Sequence, residues 1–309
     1  DGLQKISFLQ FLKQIYPNSY ISYTTSQTTT LRTILYPLVK GVIDEFIIEN
    51  NIDSSLLKIL KKNSIFLNKH YDLIIDLQKV VTRTLNLKKI SHEKFFSASA
   101  NFFFSTIKNS LNLKFKDIYI ERFYFNILSL LIGERIERIN DIRLPYFDTP
   151  KLDKRERQKI IGIAPGAGDP IREWGIENYI QIATKLREDG YQVYFFLGPN
   201  EQKYLNICES HQFKCPEWDG DTMISQNILF TMNLAKQVDC LLCNDGGTSW
   251  LFEFSGVKTF KIFGVTNERK FARPNFCETL QVKDYGYASL QSFPTSLYQE
   301  LLYKYIRKL

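Results

Sequence analysis

Histidine is nearly absent from this chain, with three in 309 residues at His70, His92 and His211. They stand too far apart in sequence to point to a metal cluster or a Ser-His-Asp relay. Cysteine is scarce as well. The five cysteines are scattered, odd in number and mostly in apolar context, which argues against a disulfide framework and suits a reducing compartment. Cys240 and Cys243 form a single C-x-x-C inside a strand-like run, where alternation turns the two side chains to opposite faces. No second C-x-x-C completes a zinc site. No apolar run approaches the roughly 18 residues of a membrane span.

What the chain has is length, apolar content and an uneven charge. Its 309 residues suit two domains, and 44% hydrophobic content supports well-buried cores. The net charge is +7, and residues 1–150 supply +6 of it (20 Lys and Arg against 14 Asp and Glu). That excess can attract an anionic partner such as a phosphorylated glycan, a lipid surface or nucleic acid, although a solvated basic face accounts for it equally well.

Local patterns alternate between strand and helix. Leu3, Ile6, Leu9, Leu12 and Ile15 recur at helical spacing up to Pro17. Strands are expected at 20–24, 42–48, 71–77 and 94–97. Helices are expected at 29–36, stopping before Pro37, and at 54–62. Residues 99–139 interleave Phe, Tyr and Lys, a pattern that fits core packing or an acceptor surface better than a single-strand nucleic-acid platform. Residues 146–157, with Pro150 and a charge run, read as a linker. This gives domains 1–152 and 153–309. In the second, strands at 160–164 and 192–197 alternate with helices at 176–189, 200–210 and 224–236. A last helix, 295–308, is expected to return to the first domain. The whole is an α/β pattern of two parallel sheets.

Two glycine-rich turns carry the chemistry. Val238–Cys243 runs into Asn244-Asp245-Gly246-Gly247-Thr248-Ser249, and a second apolar run, Lys258–Gly264, follows. Open α/β sheets bind ligands at such carboxyl ends of strands. Paired glycines let backbone N–H groups approach an anion, and Thr248 and Ser249 are placed to cap the next helix. A second turn, Pro165-Gly166-Ala167-Gly168, follows the strand at 160–164 and precedes Arg172, a fixed charge suited to a phosphate fork. Two such turns in one domain point to a diphosphate between them.

The series Pro165-Gly166-Ala167…Arg172-Glu173-Trp174, Leu197-Gly198-Pro199-Asn200-Glu201, Asn244-Asp245-Gly246-Gly247 and Phe263-Gly264-Val265-Thr266 resembles glycosyltransferase family 9, the lipopolysaccharide heptosyltransferases. Asp1-Gly2-Leu3 and Tyr71–Gln78 resemble the family's opening and an early strand. The resemblance implies a GT-B fold, two Rossmann-like domains facing a cleft, with the acceptor on the first and the nucleotide-sugar donor on the second. It implies inverting, metal-independent transfer of a heptose or similar sugar from ADP-heptose to a lipopolysaccharide core or other anionic glycan. By position, Asp1 would be the general base and Arg172 would meet the donor phosphate. Glu201 would hold the ribose and Met223 would flank the base. Gly166, Ala167, Asp245, Gly246, Gly247 and Thr248 would line the diphosphate and sugar.

Several further expectations follow from this resemblance. A Rossmann-like domain opens on an apolar strand, whereas this sequence opens at the turn after it, so the first strand is expected to be missing. No cofactor, metal or nucleic acid is expected. Asp219-Gly220-Asp221 matches D-x-D but reads as a helix cap. The expected place is the cytoplasm, at the inner membrane's cytoplasmic face. Two departures bear on donor choice: Trp250 stands where the family has His, and Val265 and Asn267-Glu268 stand where Pro and Asp-Pro are common. A different nucleotide sugar, or a non-catalytic nucleotide- or nucleic-acid-binding protein, is the alternative.

Overall fold

A computed structural model describes residues 2–49, 69–137, 141–154, 158–218 and 227–308. The expected helix at 54–62 and D-x-D segment, together with Asp1 and Met223, lie outside the described residues. The chain forms two compact units, Asp1–Arg143 and Leu144–Leu309.

The first unit contains helices α1 (Ile6–Ile15), α2 (Tyr36–Val39), α3 (Val81–Lys88) and α4 (Ile120–Ile132). Its strands are β1 (Ser22–Thr25), β2 (Glu45–Ile48), β3 (His70–Asp76) and β4 (Ser91–Ser97). The apolar stripe of α1 packs on α4, with Phe8 5.8 Å from Tyr124 and Phe11 stacked 5.8 Å from Phe125. Glu121, buried between them, accepts from Ser7 Oγ at 3.0 Å and from the Tyr119 hydroxyl at 2.6 Å. Pro37 does not stop a helix as expected. It sits in the first turn of α2, where a missing N–H costs nothing. The strands pair in parallel as β1–β2 and β3–β4. Residues of β1 and β3 line a common cavity of about 240 Å³.

The second unit is built on one five-stranded sheet in the order β6-β5-β7-β8-β9, every pair parallel. The strands are β5 (Ile160–Ala164), β6 (Gln192–Phe195), β7 (Cys240–Asn244), β8 (Lys258–Phe263) and β9 (Cys277–Gln281). Its helices are α5 (Ile176–Glu188), α6 (Leu205–Ser210), α7 (Ile228–Ala235), α8 (Gly247–Phe254), α9 (Glu268–Phe271) and α10 (Thr295–Ile306). Alternate strand residues feed two cores. Ile161, Ile163, Cys240 and Leu242 join one, whereas Ile160, Ala164, Leu241 and Cys243 join the other. Cys240 and Cys243 therefore face opposite sides, and none of the five cysteines forms a disulfide. A sheet buried on both faces produces the near-continuous apolar runs visible in the sequence.

Two segments belong to the second unit. The terminal helix α10 uses its buried face inside the second unit. Tyr298 stacks 4.3 Å from Trp174, and Phe260 lies 5.3 Å from both Tyr298 and Tyr305. The segment read as a linker is tied to the same unit, because its backbone polar groups find partners on α7 and just beyond it. Asn233 Nδ2 donates to the Pro145 carbonyl at 3.0 Å, and the Leu152 N–H donates to Gln237 Oε1 at 3.0 Å.

The chain runs from β5 outward to β6, then returns to the other side of β5 as β7. The strand order thus reverses between β5 and β7. The loops leaving their carboxyl ends diverge there, opening the crevice in which doubly wound sheets bind ligands.

Candidate functional site

Both glycine-rich turns leave the sheet at this switch point. After β5 the chain passes Pro165–Gly168 into a 3-10 turn, Pro170–Arg172, capped by Asp169, whose side chain accepts from the Ile171 N–H. Gly175, at φ +106°, then opens α5 in a conformation that a side chain would strain. After β7 the chain passes directly into α8, with Gly246 as N-cap and no side-chain cap. Thr248 and Ser249 are not the caps expected from the sequence. They lie in the helix's first turn, where Ser249 Oγ donates to the Gly246 carbonyl at 2.7 Å. The leading α8 amides are thus left to an outside acceptor, as at other anion-binding helix N-termini.

The two turns touch. A β-carbon on Gly246 would lie 3.1 Å from the Gly166 carbonyl oxygen and 3.4 Å from Ala167 Cα. Asn244, the last residue of β7, fastens them together. Its Nδ2 donates to the Pro165 carbonyl at 2.5 Å, while its Oδ1 accepts from the Trp174 N–H at 3.2 Å and the Tyr179 hydroxyl at 3.0 Å. Across the junction Arg172 Nη1 stands 3.9 Å from Asp245 Oδ2. That is a loose ion pair, and it leaves both groups with hydrogen-bonding capacity. The Arg172 side chain is 34% exposed, and that of Asp245 is 8% exposed. Gly247, by contrast, has nothing within 4 Å of where its β-carbon would be, so it borders open space.

Glu201 closes a third side. It follows β6 on a 3-10 turn, Pro199–Tyr204, and its carboxylate fills a notch between two glycines. A β-carbon would come within 2.3 Å of Glu201 Oε1 at Gly166 and within 2.6 Å of Glu201 Oε2 at Gly198. Burial and the neighbouring Glu173 carboxylate push the Glu201 carboxyl above its ordinary range. A group desolvated in this way gains from a hydroxyl donor. Glu173 joins the turns around it, accepting from the Ala167 N–H at 3.3 Å and the Tyr204 hydroxyl at 2.7 Å.

The structure therefore brings Gly166, Ala167, Arg172, Glu201, Asp245 and Gly246 into one neighbourhood, with Gly247 and Thr248 in the adjoining helical turn. Asp1 and Met223 lie outside the described residues. Trp174 is a packing residue, 1% exposed, with its Nε1 donating to the Phe293 carbonyl at 2.9 Å. Trp250 is turned into the core. It is 7% exposed and stacks 5.9 Å from Phe254, with Lys261 Nζ lying 4.9 Å from its ring. Lys261 in turn pairs with Glu253 at 2.8 Å, both side chains at zero exposure. Burial opposes the lysine's charge, but the Glu253 carboxylate together with the neighbouring Cys277 and Cys243 holds the ammonium above its usual range.

Sequence reasoning missed two contributors and one buried carboxylate. Asn244 and Glu173 were visible as motif letters, but not as the fasteners they are. Glu217 gave no signal at all. It is 3% exposed, accepts from the Thr231 hydroxyl, and burial pushes its carboxyl up to about 8. Among the described residues no three His, Cys, Asp or Glu side chains converge as a metal site.

Comparison with known proteins bears on the same region. The family model for glycosyltransferase family 9 (heptosyltransferase) matches residues 65–276. No curated protein sequence matches the chain significantly. Among solved structures, the Escherichia coli heptosyltransferase WaaC with ADP is 11% identical with a TM-score of 0.62, covering 99% of this chain and 94% of that one. The glycosyl transferase family 9 protein of Veillonella parvula is 16% identical with a TM-score of 0.60, covering 96% and 91%. The E. coli ADP-heptose lipopolysaccharide heptosyltransferase II is 16% identical with a TM-score of 0.56, covering 98% and 94%. These likenesses establish the fold as GT-B.

Proposed function

The chain belongs to glycosyltransferase family 9, and from that premise we propose that it moves a heptose, or a closely similar sugar, from an ADP-linked donor to a lipopolysaccharide core or other anionic glycan. We further propose that transfer inverts the anomeric centre, needs no metal, and takes place at the cytoplasmic face of the inner membrane. The observation that carries the reading is the junction of the two turns, where Asn244 fastens the Pro165 turn to the Asp245 turn. Beside that junction Arg172 and Asp245 stand 3.9 Å apart, next to the first turn of α8, which supports the reading.

In this reading the donor's diphosphate lies over the α8 N-terminus, with the Arg172 guanidinium on its oxygens. Glu201 accepts from the ribose hydroxyls and Asp245 from a sugar hydroxyl. The Met223 region flanks the base. The acceptor hydroxyl attacks the anomeric carbon, the new C–O bond forms, and the bond to the diphosphate breaks. The departing ADP keeps the electron pair. Its growing charge falls where Arg172 and the turn amides already point, so stabilisation requires no reorganisation. The proton of the acceptor hydroxyl goes to a carboxylate, which we assign to Asp1.

The test is direct. The chain, supplied with ADP-heptose and a heptose-deficient lipopolysaccharide core, releases ADP and adds one heptose to the core by mass spectrometry, with or without EDTA. If only uridine or guanosine sugars are turned over, the donor assignment fails. If no nucleotide sugar is turned over and none is bound, the enzyme reading itself fails.

A further inference from the structure

The first unit carries a surface that the donor site does not use. Residues 79–117 hold eight Lys and Arg against two acids, Glu93 and Asp117, a net of +6 in a chain whose total is +7. At the centre of this segment is a loop that follows β4. It bends through three consecutive non-glycine residues in the left-handed region, Ala100 (φ 46°), Asn101 (φ 51°) and Phe102 (φ 64°). Such backbone is costly and persists only where the surroundings hold it. Here the Thr84 hydroxyl of α3 donates to Ser99 Oγ at 2.8 Å, and Lys108 Nζ donates to the Phe102 carbonyl at 3.0 Å. Phe102 is buried by the bend, whereas Phe103 is thrown outward and is 76% exposed.

The outward ring has company. Phe104 lies edge-on to Phe103 at 5.1 Å, and Lys88 Nζ sits 5.7 Å above the Phe104 ring. Val81, Thr84 and Lys88 share one face of α3 by their spacing. Val81 on that face is 40% exposed, and Lys88, Lys89, Lys94 and Lys108 are all exposed. An apolar tip with Lys88 over its second ring, in a strongly basic stretch of the chain, is matched by a surface that is anionic outside and apolar just beneath.

We propose that the Phe103 loop is a membrane-docking tip, which inserts Phe103 into the headgroup boundary of an anionic bilayer while Lys88 and other exposed lysines of residues 79–117 pair with lipid phosphates. Stacked bases need parallel platforms, and the Phe103 and Phe104 rings stand at 90° to each other. Insertion of a single ring with a few charge pairs makes attachment by this tip peripheral and reversible. The proposal rests on the membrane placement in the proposed function and names the segment that achieves it; because lipid binding is measured without donor or acceptor, its failure is distinct from a failure of the transferase reading.

The experiment is vesicle co-sedimentation of the full chain. Wild type pellets with vesicles of phosphatidylethanolamine and phosphatidylglycerol (3:1), stays in solution with phosphatidylcholine alone, and is released by salt. Phe103→Ser weakens the association about tenfold. Lys88→Glu with Lys89→Glu costs about fivefold per charge and flattens the salt dependence. In Phe103→Trp the indole emission shifts to the blue on adding the anionic vesicles. All these variants keep the wild-type melting temperature and ADP affinity, since the altered side chains are exposed. Equal binding to both lipid compositions overturns the proposal. So does Phe103→Ser binding like wild type, or single-stranded RNA fully displacing the vesicles.

Discussion

Replacing Gly166 with alanine puts a β-carbon 2.3 Å from Glu201 Oε1 and 2.4 Å from its Cδ and Cγ. No real β-carbon tolerates such contacts, so one partner must move. The Gly166 backbone is outside the left-handed region, so alanine itself is unstrained there, and the loss of unfolded-chain freedom is mildly stabilising. Glu201 moves instead, swinging its carboxylate out of the notch between Gly166 and Gly198. The fold should hardly notice, and the melting temperature should change by the equivalent of about 1 kcal/mol or less. The donor should notice. A charge-assisted hydrogen bond to a ribose hydroxyl contributes roughly 1.5–3 kcal/mol, so the ADP dissociation constant should rise about 10- to 150-fold. Calorimetric titration measures this, and a double-mutant cycle isolates its cause. In a Glu201→Ala background the clash has no partner, so adding Gly166→Ala should cost within about 0.5 kcal/mol of nothing further. Additive losses, or wild-type affinity in Gly166→Ala, would refute the placement of Glu201 against the donor.

Two other perturbations follow from the same geometry. Arg172→Gln should weaken ADP about tenfold or more while leaving adenosine binding unchanged, because the guanidinium is assigned to the phosphates; equal losses for both ligands would contradict that role. Glu217 keeps its proton up to about pH 8 in the folded chain but loses it near 4.5 when unfolded. The folded state therefore binds the extra proton between those values. Stability from this group is full below pH 4.5 and falls as pH rises to 8, by at most about 1.4 kcal/mol per unit. Melting curves of Glu217→Gln should lose that slope, and curves parallel to wild type would count against it.

The second unit was largely legible in the sequence because its strands are buried on both faces. β5, β7 and β8 appear as short apolar runs that end in glycine turns, and α5 shows its stripe with Gly190 closing it. β9 was missed, since Cys277–Gln281 is a half-buried edge strand whose mixed residues carry no apolar run. The first unit was harder to read. Pro37 reads as a helix stop in the sequence but is a first-turn residue in the structure. α3 was missed because its eight residues, VTRTLNLK, are polar enough to pass for a loop. Within the site, the motif letters located the turns. Asn244 could not be assigned its fastening role, because its partners Pro165, Trp174 and Tyr179 lie 65 to 79 residues away. Trp250 was weighed as a determinant of donor choice. Spacing along α8 does not reveal that its ring points inward to Phe254 and Lys261.

The central claim is that a nucleoside diphosphate seats where the Pro165 and Asp245 turns meet. Hydrogen–deuterium exchange of the full chain with and without ADP tests it most directly. The account predicts slowed exchange in peptides covering residues 165–173 and 245–250, with β8 and α10 unchanged. Protection confined to the first unit, or ADP binding that leaves both turns exchanging at their free rates, would contradict it.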